Sequence, residues 1–186
     1  MSIKLVSLTS ALAIAASAAA AEQNFNRIAS FATAVNNADA SVESSAEIIS
    51  ASADGMTLAY SDSPLGVVGF IDITDPAAPA ALGNIEVGGE PTAVSISGTT
   101  ALVAVNTSES YTAPSGVLKA YAIADKSELA SCDLGGQPDS TAVAPDGSFI
   151  AIAIENERDE DLGDGRVGQL PAGYVVTLPL VDGLPD

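Results

Sequence analysis

The sequence predicts an all-β chain made of consecutive four-stranded antiparallel sheets set side by side, as in the blades of a β-propeller. Three observations carry this. One phrase is said three times: Ala46-Glu47-Ile48-Ile49-Ser50-Ala51-Ser52-Ala53-Asp54-Gly55 returns as Pro91 to Gly98 and again as Pro138 to Gly147. Its pivot glycines Gly55, Gly98 and Gly147 lie 43 and 49 residues apart, the period of units that each fold as one small sheet. The segments around them alternate large with small residues, as in Phe149-Ile150-Ala151-Ile152-Ala153-Ile154. No helical period that would support an α/β crossover occurs outside the first residues.

Taken in order, residues 1–21 read as a secretory signal peptide. Lys4 gives the basic start, Leu5 to Ala16 the apolar core and Ala19-Ala20-Ala21 the cleavage site, so the mature chain begins at Glu22. The apolar core is shorter than the roughly 20 residues that cross a bilayer. The expected location is therefore the periplasm or the exterior, with no membrane span. Residues 22–45 form an N-terminal closing strand and linker, because Asn26 to Ala32 is similar to the fourth strand of a unit, Ala81 to Val87.

Three units follow, at 46–87, 91–134 and 138–181. In the second, strands are expected at Thr92 to Ser97, Ala101 to Val105, Val117 to Ile123 and Glu128 to Leu134, where β-branched, aromatic and aliphatic residues suit short buried strands. The pivot glycines supply the positive φ that closes a tight hairpin. The third unit ends after its third strand. A propeller ring takes at least four blades, so the chain reads as about three blades of a seven-bladed ring. The remaining blades are then expected beyond residue 186. The alternative is a short protein that closes by oligomerising.

Charge limits the partners. The chain has 24 acidic and 6 basic side chains and a net charge of −18. Such a surface repels nucleic acid and anionic lipid and attracts cations. Solubility in a saline exterior would explain the same charge. Cys132 is the sole cysteine, so no internal disulfide forms, and its alternating neighbours place it in a strand. The chain has no histidine, which removes Ser-His-Asp and Cys-His catalysis and histidine-ligated zinc from the readings open to these residues.

Chemistry is expected on the segments that join the second and third strands. These lengthen from Asp62-Ser63-Pro64-Leu65-Gly66, through Asn106 to Gly116, to Glu155 to Gly173, and they emerge on one face of the ring. Their polar leads, Asp62, Asn106, Glu155 and Asn156, form a ladder from blade to blade, or else serve as turn caps. In the third segment Glu155, Glu157, Asp159, Asp161 and Asp164 are candidate ligands for Ca²⁺, a cation that takes 6–8 oxygens. The string 159–165 is not an EF-hand loop. Arg158 and Arg166 offset the repulsion or bind an anionic group of a ligand. Ser108 beside Asn106 could be offered as a nucleophile, but a hydroxyl needs a base or metal to act.

Several phrases resemble a known family. Gly136-Gln137-Pro138-Asp139-Ser140 and Ala144-Pro145-Asp146-Gly147-Ser148-Phe149 are similar to the blade signature of YVTN-type bacterial propellers. Tyr60-Ser61-Asp62-Ser63-Pro64-Leu65-Gly66, Phe70-Ile71-Asp72-Ile73-Thr74-Asp75-Pro76, Val105-Asn106-Thr107-Ser108-Glu109-Ser110-Tyr111 and Ile154-Glu155-Asn156-Glu157-Arg158-Asp159-Glu160 look like the exported choice-of-anchor I propeller proteins. Some of these carry names such as alkaline phosphatase or phytase-like esterase. Residues and resemblance together predict an exported binding or scaffold module with an acidic, calcium-binding loop face and no catalytic residue set. It would hold a protein or a small anionic ligand through the bound cation. A calcium-dependent phosphoester hydrolase is the alternative.

Overall fold

The alternating segments form twelve strands in a computed structural model, which describes residues 26–165 and 170–186. The signal peptide expected over 1–21 and Arg166 lie outside the described residues. The first sheet holds β1 (Ile49–Ala51), β2 (Thr57–Asp62), β3 (Val67–Asp72) and β4 (Ala80–Glu86). The second holds β5 (Glu90–Ser97), β6 (Thr100–Asn106), β7 (Gly116–Ala122) and β8 (Glu128–Asp133). The third holds β9 (Pro138–Val143), β10 (Phe149–Ile154), β11 (Tyr174–Val181) and β12 (Leu184–Pro185). Within each sheet the strands lie in chain order and pair antiparallel. The pivot glycines have φ of 71°, 58° and 72° at Gly55, Gly98 and Gly147, the left-handed backbone that a residue without Cβ adopts freely.

The two ends of the chain differ from expectation. The third unit does not stop at its third strand: Asp182 and Gly183, at φ 52° and 81°, turn the chain back so that Leu180 faces Pro185 and Val181 faces Leu184. Two successive positive φ angles make the tightest hairpin loop, and Asp-Gly favours it. Residues 26–32, expected as an outer strand, form no strand, and a single 3-10 turn follows at Thr33–Asn36. Residues 27–31 share a cavity with Leu58 and Ile71 of the first sheet and with Ile73, which follows β3. They meet that sheet at a face, which offers no ladder of hydrogen bonds.

The repeat sets how the sheets stack. Three, five and seven residues past the pivots stand Ala101, Val103 and Val105 in the second sheet and Ile150, Ile152 and Ile154 in the third. The former pack with Ala59, Val68 and Phe70 of the first sheet. The latter pack with Leu102, Leu118 and Ala120 of the second. The second and third sheets therefore each lay an aliphatic face on the sheet before them, in a propeller-like array. Thr100 to Val105 are all buried because β6 is covered from both sides. Burying a Leu or Val side chain contributes about 1.5–3 kcal/mol. Cys132 is half buried at the edge of the second cluster.

Candidate functional site

The strand ends where the long connections emerge enclose two adjoining cavities of about 400 and 250 Å³. Glu90, Gln137 and Glu157 line both. The cleft is assembled from all three sheets, and two irregularities in the ladder help to build it. Thr92 is left unpaired between Pro91 and Ala93, and Asp139 between Pro138 and Ser140. Such bulges re-aim the extra side chain, and both residues line the larger cavity. Eight residues past the pivots stand Ser63, Asn106 and Glu155, and each lines one of the cavities. Glu47 enters beside Ser63, whose hydroxyl donates to its carboxylate.

Hydrogen bonds hold these groups in place. Asn106 accepts from the Ser108 amide at 3.0 Å and donates Nδ2 to Glu90 Oε2 at 3.0 Å. Gln137 donates Nε2 to Glu157 Oε2 at 3.3 Å and accepts from the Glu157 amide at 3.0 Å. Beneath them Asn156, buried and left-handed at φ 51°, accepts from the Gln137 amide at 3.0 Å and donates to Pro171 O at 2.9 Å. Gly136 must lack a side chain there, since a Cβ would lie 2.6 Å from Asn156 Oδ1.

The cleft is strongly anionic. Glu47, Glu90, Asp139, Glu155 and Glu157 line it, and among the described residues no lysine or arginine does. Burial first, then repulsion from Asp139 and Glu157, raises the Glu155 carboxyl above its ordinary value, while Arg158 acts the other way. At the rim, Glu157 most strongly raises the phenol of Tyr111, a side chain 44% exposed, so it stays neutral at pH 7.

The residues singled out in the sequence divide. Glu155, Glu157 and Asn106 line the cleft. Asp62 does not: it stands where the other units have Val105 and Ile154, wholly buried. Its carboxylate accepts from Ser44 Oγ at 2.6 Å and the Ser45 amide at 3.0 Å. Asn156 is likewise an internal cap. Arg158 folds back on its own loop, with Nε on Gly165 O at 2.7 Å and Nη2 on Glu160 at 3.4 Å. Asp159 caps the same turn by accepting from the Asp161 amide at 3.0 Å. Asp161 and Asp164 lie exposed in that turn. Among the described residues no group of three or more Asp, Glu, Cys or His is placed to hold a metal ion. The Ser108 hydroxyl donates to Ser115 O at 3.1 Å and accepts from the Ser115 amide at 3.0 Å. Glu47, Glu90 and Asp139 were missed because they precede or begin first strands. The regular step of eight from each pivot would have pointed to Ser63 in place of Asp62.

The choice-of-anchor I domain matches residues 47–183. No curated protein matches the sequence. The fold is similar to that of Kuenenia stuttgartiensis hydrazine synthase, with a TM-score of 0.54 at 17% identity over 72% of this chain and 34% of that one. A luciferin-regenerating enzyme superposes with a TM-score of 0.49 at 18% identity, covering 71% and 44% of the two chains. The chain thus spans less than half the length of these structures. At such identities the likeness concerns the fold. No helix among the described residues is long and apolar enough to cross a membrane.

Proposed function

The chain belongs to the choice-of-anchor I family, and from that premise we propose that it serves as the binding sector of an exported β-propeller, taking a cationic ligand in its acidic cleft. One observation carries the reading: residues from three successive sheets converge on one cleft with five carboxylates and, among the described residues, no cationic side chain. A bound cation offsets the repulsion from Asp139 and Glu157 that adds to burial in raising Glu155, and it stabilises the folded chain by mass action. Export rests on the leader at 1–21. In a seven-bladed ring the further blades continue from the outer face of the third sheet. Residues 26–32 then supply the outer strand of the last blade, a role that their position against the first sheet supports. A protein or an anionic small molecule would join through the cation. No observation favours the hydrolase alternative, since Ser115 engages the Ser108 hydroxyl as both donor and acceptor.

Thermal melts in calcium, in a diamine and in sodium at matched ionic strength test the reading. Calcium or the diamine should raise the midpoint beyond sodium, and a combined Glu90→Gln, Glu155→Gln, Glu157→Gln chain should lose the excess. Equal shifts in all three salts would reduce the cleft to acidic surface.

A further inference from the structure

Resting on that reading, we infer that the smaller cavity is a seat for an alkylammonium group, with Tyr111 as its aromatic wall and Glu90 and Glu157 as its counter-charges. Its volume, about 250 Å³, accepts a small organic cation and exceeds what a bare ion fills. Glu90 and Glu157 are each held by an amide, Asn106 Nδ2 and Gln137 Nε2. Each keeps acceptor capacity for an N–H donor, since an ionised carboxylate has about four lone-pair sites. The carboxylates are spread along the walls of a cleft instead of gathered round one point. Calcium takes 6–8 oxygens at about 2.3–2.6 Å, and no three acidic groups among the described residues are placed for that. An ammonium needs only one or two carboxylates and gains from an aromatic face.

Tyr111 is the aromatic side chain that lines this cavity. It sits at the tip of the second connection, in a turn closed by the Ala113 amide on Ser110 O at 3.0 Å. A cation over such a ring gains about 0.5–2 kcal/mol. The hydroxyls of Ser108 and Ser110 line the same cavity. A lysine side chain or a free polyamine carries the required chemistry, an ammonium on an aliphatic stem.

The chain has no tryptophan and four tyrosines, so tyrosine emission, with calorimetry beside it, reads the site directly. Cadaverine, Nα-acetyl-lysine methylamide, calcium chloride and sodium chloride are titrated at constant ionic strength. Saturable binding of cadaverine, of the lysine derivative, or of both is expected, and the two arms tell a free amine from a protein side chain. Tyr111→Ala should weaken it by roughly fivefold and Tyr111→Phe should leave it within about twofold, because a cation–π contact needs the ring and not the hydroxyl. Glu90→Gln and Glu157→Gln should each cost about tenfold, the scale of one lost charge-assisted hydrogen bond. All three positions are exposed, and circular dichroism verifies that the variants fold. Calcium binding with no response to either ammonium compound would overturn this inference and leave the cation-binding acidic cleft standing. Ammonium binding indifferent to Tyr111→Ala would overturn it too. Failure of every cation to exceed sodium would remove both.

Discussion

Among the described residues the first and third sheets each have one face with no sheet against it, and the two faces are treated in opposite ways. On the first, the segment from Thr33 to Ser45 lies across the sheet and ties itself down. Asn36 donates to Tyr60 Oη at 3.0 Å and to Phe70 O at 2.9 Å and accepts from the Gly83 amide at 2.9 Å. Asp62 holds Ser44 and Ser45. On the third, Phe149, Ala151 and Ala153 pair with Pro179, Thr177 and Val175 to form an uncharged face. Phe149 and Val175 are 43% and 68% exposed there. The repeat explains the bare side: Ala151, four past its pivot, corresponds to Ala59 and Leu102, both buried under a following sheet. The covered side shows what the repeat cannot encode. A polar cover needs polar positions, so Tyr60 and Asp62 replace the aliphatic residues that the other units carry, Val103 and Val105, Ile152 and Ile154.

This contrast can be broken, and the largest effect is expected at Asn36. Asn36→Ala leaves the Gly83 amide and the Phe70 carbonyl without their partner under the cover, and should cost about 2–4 kcal/mol in urea unfolding at unchanged m-value. A cost under about 1 kcal/mol would mean that the segment rests on the sheet without sealing it. Asp62→Ala should cost less, about 1–2 kcal/mol, since the amides it releases are only part buried. Limited proteolysis should then cut between Thr33 and Ser45 first.

The cleft gives a smaller contrast that depends on pH. Because the folded state raises the Glu155 carboxyl, its protonated form favours folding. That contribution is complete below the unfolded value and lost as pH rises through the folded one. Glu155→Gln should therefore stabilise the chain slightly at pH 7, by a few tenths of a kcal/mol given its solvent exposure, and the gain should vanish in acid. A gain equal at pH 7 and pH 3 would refute the cause given. Val175→Ser on the bare face should do least, within about 0.5 kcal/mol, while an equivalent change at Val68 or Leu118 opens a buried cluster and costs several times more.

Most of the fold was readable because it is periodic. The pivots gave the turns, and the alternation around them gave eleven of the twelve strands with bounds close to those observed. The exceptions are local chemistry and long range. β12 follows from Asp182-Gly183, a hairpin signal too near the end to show a second strand of any length. Asn36 acts 24 to 47 residues away, and nothing around it marks that role. The cleft was half readable. Glu155, Glu157 and Asn106 stood out in the connections, whereas Thr92 and Asp139 owe their direction to bulges that pairing alone reveals. The density of charge in 155–164 drew attention to one loop, while the geometry shares the acids among three sheets.

Burial of β6 on both sides has a consequence for how the chain comes apart. Its alternate residues belong to two different clusters, Val103 to one and Leu102 to the other. Loss of either flanking sheet strips half of the packing from the strand between. Nearest-neighbour coupling of this kind makes the middle unit the most protected and the outer two its dependants. Among the three described sheets the amides of β6 should be the last to exchange with deuterium, and opening should proceed inward from the two that flank it.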